Sequence, residues 1–100
     1  MNVHYFKEHI ADELEGSKEY VKRALEIKPM SPSWGKLFLE MSAAELEHAK
    51  NLYEMFQEYY KRIADTYDKV PKYIEEGKAE IEDMYAECSA KIKYMHSMYS

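Results

Sequence analysis

Two carboxylates and one imidazole stand out by position rather than by type. Glu45 and His48 lie three residues apart in Ala44-Glu45-Leu46-Glu47-His48-Ala49-Lys50, the Glu-x-x-His spacing by which one helix offers an oxygen and a nitrogen to the same metal ion. The spacing alone decides little, because 15 Glu and 4 His among 100 residues give about 0.6 such pairs by chance. Placement on a helical wheel, at about 100° per residue, decides more. Lys36, Glu40, Glu47, Lys50, Glu54, Glu58, Lys61 and Asp65 share one arc, while Glu45 falls near the centre of the opposite arc, between Phe38, Ser42, Ala49, Leu52 and Phe56. A glutamate there is expected to be buried when the helix packs. An unpaired buried carboxylate is costly enough that a proton, a paired cation or a metal must answer it. His48 lies one turn on, toward the edge of the same face.

The preceding stretch repeats the anomaly. Asp12, Glu15, Glu19, Lys22, Arg23 and Glu26 cluster opposite Ile10, Leu14, Ser17, Val21 and Ala24. Glu13 does not join them: it falls beside Phe6, Tyr20 and Ala24, roughly 60° from the middle of the apolar arc. Tyr20, seven residues after Glu13, is a candidate donor for orienting a ligand carboxylate, with ordinary packing as the competing reading. His9, one turn before Glu13, reads first as a hydrogen-bonded interface histidine and second as an extra metal contact.

Three helices must position these groups. Asn2 is suited to cap a first helix over about 3–27, which Lys28-Pro29 ends because proline disfavours helical geometry in the residue before it. Ser31-Pro32 reads as an N-cap followed by proline in the first turn, opening a second helix over about 32–67. Pro71 marks a third, over about 71–99, in which Ile74, Ile81, Tyr85, Cys88, Ile92, Met95 and Tyr99 form one stripe. If the first two helices fold back on each other about residue 30, positions i and 60 − i lie level. Glu13 then faces position 47, within about one turn of Glu45 and His48.

The composition fits an all-α single domain: 46% hydrophobic, 33% charged, and only 3 Gly and 3 Pro. A net charge of -5 argues against general affinity for nucleic acid or anionic membrane and favours cations as ligands. The single Cys88 cannot form an internal disulfide, and neither a secretory signal nor a membrane span is visible. A cytoplasmic location is expected. The Tyr- and Met-rich third helix reads as an oligomer contact, with its partner undetermined.

One hairpin supplies two carboxylates and one imidazole, whereas a carboxylate-bridged dimetal centre in a four-helix bundle uses four Glu and two His. Two-fold pairing of the hairpin makes both the bundle and the ligand set whole. Four carboxylates would balance two divalent cations with both histidines neutral, and the mixed donors suit iron, manganese or zinc better than calcium.

Ala44-Glu45-Leu46-Glu47-His48-Ala49-Lys50 resembles the second-helix signature of rubrerythrins and other ferritin-like proteins, and the seven-residue step from Glu13 to Tyr20 is similar to their first-helix pattern. Asp12-Glu13-Leu14-Glu15 and the short length most resemble the encapsulated ferritins, whose subunits are half-bundles. The resemblance implies a ferroxidase with two iron ions per dimer, held by Glu13, Glu45 and His48, with Asp12 and Glu15 attracting incoming iron. It further implies a homodimer and rings of such dimers, and leaves open whether an encapsulating shell surrounds them. Two other functions compete: a non-catalytic all-α structural or particle-associated oligomer, and a peroxide-reducing dimetal enzyme.

Overall fold

Asn2 adopts extended geometry and its side-chain oxygen accepts from the backbone N–H of Tyr5 at 2.9 Å, answering one of the free donors that open a helix. In the computed structural model, which describes residues 1–100, this cap starts α1, Val3–Ile27. Ser31 repeats the device, with its Oγ accepting from Trp34 N–H at 3.3 Å and Pro32 in the first turn, to start α2, Pro32–Thr66. Pro71 precedes α3, Lys72–Tyr99, without a side-chain cap. The expected helix limits hold to within one residue, and there are no strands.

α1 and α2 form an antiparallel hairpin close to the expected ladder. Phe6 packs against Phe56 at 5.6 Å between ring centroids, Ser17 bonds Ser42, and Tyr20 stacks on Phe38 at 6.3 Å. α2 buries only Gly35, Ser42, Ala49 and Phe56, at seven-residue steps. Three of these are small, so the backbones of the hairpin approach closely. Phe56 and Phe6 supply the bulk at one end, where each fully buried large apolar side chain stabilises by about 2 kcal/mol.

α3 runs parallel to α1 and covers one side of the hairpin. Gly77 lies against Val3, where a Cβ would collide with the valine side chain; Lys7 pairs with Glu80; and the Lys28 ammonium donates to the Tyr99 carbonyl. Ile81 and Ile92 join Val3, Phe6, Ile10, Leu14, Ala49 and Phe56 in one core. Tyr85 stacks on Tyr53 at 4.3 Å with the rings 9° from parallel. The sequence reading left this helix without a partner, and its own hairpin is the partner. The molecule measures 57 × 18 × 17 Å. No helix is long and apolar enough to cross a membrane.

A polar cluster joins the three helices inside this core. Ser17 Oγ donates to the Ser42 carbonyl at 2.8 Å and Ser42 Oγ donates to the Ser17 carbonyl at 2.7 Å, while His96 Nε2 lies 2.8 Å from Ser42 Oγ. With the single Ser42 hydroxyl proton given to Ser17, Nε2 of His96 is the donor in the third bond. Burial holds the His96 imidazole below its ordinary range, which agrees with a neutral ring protonated on that nitrogen.

Candidate metal centre

The side of the hairpin away from α3 stays open, and Glu13, Glu45 and His48 lie on it. By the wheel, Glu13 is turned roughly 130° from the α3-facing line of Leu14, Lys18 and Ala11, toward α2 and the open side. His48 Nδ1 is 3.4 Å from Glu13 Oε2 and 3.7 Å from Glu45 Oε1. One donor atom from each residue lies within 4.8 Å of the others. The convergence expected from the hairpin fold is therefore present within a single chain.

Burial is more moderate than the sequence reading had it. The Glu13 and Glu45 side chains are 28% and 29% exposed, and His48 is 56% exposed. The buried line of α2 runs through Gly35, Ser42, Ala49 and Phe56, and Glu45 is turned roughly 50° from it toward the open side. Small residues carry that line, so hydrophobicity alone drew the apolar arc too far toward the larger side chains on the open face.

The electrostatics are those of a site short of positive charge. Burial, then a hydrogen bond to Glu13 and the charge of Glu13, push the Glu45 carboxyl above its usual range, and His48 only partly opposes this. Two carboxylates this close favour sharing a proton when no cation is present. Glu13 Oε2 is buried and makes no well-formed hydrogen bond, its contact with His48 Nδ1 at 3.4 Å being an ion pair only when the imidazole is protonated. An acceptor left so costs about 1–3 kcal/mol, and a cation among the three donors would satisfy it. Oxygen, oxygen and imidazole nitrogen form a donor set suited to iron, manganese or zinc.

The surroundings bear on the other residues named from sequence. Gly16, one turn after Glu13, lies where a Cβ would stand 2.6 Å from Glu45 Oε2. Tyr20 packs on Phe38, and no hydrogen bond joins it to the Glu13 or Glu45 carboxylate within the chain. His9 packs against Tyr5 at 4.2 Å with the rings tilted by 38°, and stays exposed. Asp12 is exposed. Glu15 lines the groove between α1 and α3 with Lys18, Cys88 and Lys91, on the other side of α1 from Glu13. Trp34, Leu37, Met41 and Met55 are exposed on the open side of α2 and flank the cluster along its length.

Sequence reasoning passed over Gly16 and the Ser17–Ser42–His96 cluster. A glycine inside a helix, three residues from a suspected ligand and on its stripe, was the signal for the first. The seven-residue recurrence of Gly35, Ser42 and Ala49 was the signal for the second.

A family model described as Rubrerythrin matches residues 5–100. Comparison with curated proteins and with solved structures gives no match.

Proposed function

Because the chain belongs to the rubrerythrin family, within the ferritin-like superfamily, we propose that it oxidises Fe(II) at a dinuclear centre completed by two copies of the open hairpin face. The observation that carries this reading is the buried Glu13 Oε2, without a well-formed hydrogen bond, held beside Glu45 and His48. One chain offers two carboxylates and one imidazole, which neutralise one divalent cation. Two chains related by a two-fold axis through the cluster would offer four carboxylates and two imidazoles, enough for two.

In this reading iron is the substrate: two Fe(II) ions give up one electron each to dioxygen or peroxide. The protein's own part is placement. Glu13 and Glu45 hold the ions and stabilise the higher charge of the ferric product, because hard anionic oxygen favours the more highly charged ion. His48 contributes a neutral donor and leaves the charge balance to the carboxylates. Trp34, Leu37, Met41 and Met55 would be covered on pairing, which excludes water from the flanks of the centre. Rings of such dimers, and a compartment to receive ferric iron, extend the proposal along the likeness to encapsulated ferritins.

Anaerobic Fe(II) titration followed by sedimentation tests it. The expected result is about one ion per chain, with pairing that depends on metal and is lost in Glu45→Ala. Oxygen-dependent iron oxidation should then occur in the native chain and fail in His48→Ala. A second reading draws on the exposed apolar side chains themselves, which can drive pairing without chemistry. Dimers that form equally well with chelator, and that bind no iron, would establish that non-catalytic role instead. Peroxide consumption without net iron oxidation would identify a peroxide-reducing enzyme.

A further inference from the structure

We propose that Gly16 is a positioning residue for the metal centre: its missing side chain is the space in which the Glu45 carboxylate stands. The inference rests on the metal-binding reading above and adds a residue that no ligand motif contains. Gly16 is in the middle of α1, and no glycine of the chain has positive φ, so its backbone conformation is one that any residue adopts. Helix-interior glycine is disfavoured relative to alanine, and no turn or cap requires it here. The close neighbours of a Cβ at this position all belong to one side chain: Glu45 Oε2 at 2.6 Å, Cδ at 3.5 Å and Cγ at 3.7 Å. No backbone atom of another helix comes nearer than these.

The contrast with the other two glycines sharpens the assignment. At Gly35 a Cβ would meet Tyr99 Oη at 2.7 Å and the backbone of Lys28 at 3.3 Å, and at Gly77 it would meet the buried Val3 side chain. Those two serve helix packing. A methyl group at position 16 would collide with the end of a flexible acidic side chain on the open face, which can swing aside without disturbing the core. The carboxylate would then leave the point where it lies beside His48 Nδ1 and Glu13. The fold tolerates the change and the ligand set does not. Gly16 therefore acts through Glu45, by letting its oxygen come level with Glu13 between the two helices.

The test is Gly16→Ala in the full chain, with Co(II) as the probe under anaerobic conditions, because its visible absorption reports coordination number and donor type directly. The expected result has two parts of opposite sign. Co(II) affinity falls by about tenfold or more, as when groups supporting a ligand are removed, and the visible spectrum changes with the loss of a carboxylate donor. The metal-free variant meanwhile unfolds in urea at the same concentration as the native chain or a higher one. Affinity within about fivefold of native and an unaltered spectrum would overturn the proposal, on the same scale. A fall in affinity accompanied by a lower urea midpoint would overturn it too, since that is the behaviour of a packing glycine. If the native chain itself gives no cobalt spectrum, the metal reading fails and this inference with it, and the two failures are thereby told apart.

Discussion

Replacing Glu45 by glutamine should make the metal-free protein more stable while abolishing metal binding. The Glu13 and Glu45 donor oxygens lie no more than 4.8 Å apart. Two unit charges at that distance repel by about 0.9 kcal/mol in water and by about 3.5 kcal/mol at an effective dielectric constant of 20. With the carboxylates 28% and 29% exposed, a value between these limits applies, roughly 1–3 kcal/mol. A glutamine amide also donates, so it can bond the orphaned Glu13 Oε2 and add about 1 kcal/mol. For a domain of this size even the lower figure raises the unfolding midpoint by about 4 °C or more. The assay is thermal unfolding in chelator at pH 8, where positive charge on histidine side chains is minimal, repeated as the pH is lowered. Burial and Glu13 hold the Glu45 carboxyl above its ordinary 4.5. The stabilisation from its protonated form is therefore fully present below 4.5 and is lost as pH rises through the folded value. The gap between variant and native protein should be widest at pH 8 and should close near and below pH 4.5. A glutamine variant that unfolds at the native temperature or lower at pH 8 would refute the reasoning, because the two acids would then not be held in like-charge contact.

Other expectations follow from the same structure. His96, held below its ordinary 6.5 by burial, takes up protons more readily when the chain is unfolded, so stability should fall as pH drops below about 6.5. In His96→Gln, which can still bond Ser42, that part of the slope should disappear from urea midpoints measured across pH 5–7, a range chosen to span the ordinary histidine titration at about 6.5. Phe56→Ala removes a side chain that is 1% exposed and packed edge-on against Phe6; a loss of about 3–5 kcal/mol in unfolding free energy is expected from denaturant titration. Ser31→Ala deletes the acceptor that caps α2 and should cost about 1 kcal/mol by the same measurement, without altering metal binding.

The helices were legible because the chain punctuates them with groups of unambiguous chemistry. Asn2 and Ser31-Pro32 cap, and Pro29 and Pro71 interrupt, so the ends are readable without tertiary information. The three clustered side chains were legible for a different reason: in a hairpin folded about residue 30, height follows from position number, and Glu13 had to come level with Glu45 and His48. The site of α3 was not legible, because its stripe of Ile, Tyr and Met would serve equally against its own hairpin or a neighbour. Nor was the depth of Glu45. The seam between α1 and α2 is marked by Gly35, Ser42 and Ala49, residues whose value lies in being small, and apolar periodicity gives them little weight. The apolar arc of α2 is two adjoining surfaces, one closed against α1 and one left bare.

The paired hydroxyls of Ser17 and Ser42 have a consequence beyond their own bonds. Each reaches the other's backbone carbonyl, so sliding one helix along the other by a single turn, about 5.4 Å, would strand two hydroxyls in a dry interior. Greasy contacts between long helices tolerate such slippage; this pair does not. Ser17 stands four residues beyond Glu13 and Ser42 three before Glu45, so the latch that fixes the alignment is within about one turn of the acids it aligns. The chain thus carries, in two serines, the device that keeps Glu13 level with Glu45 and His48.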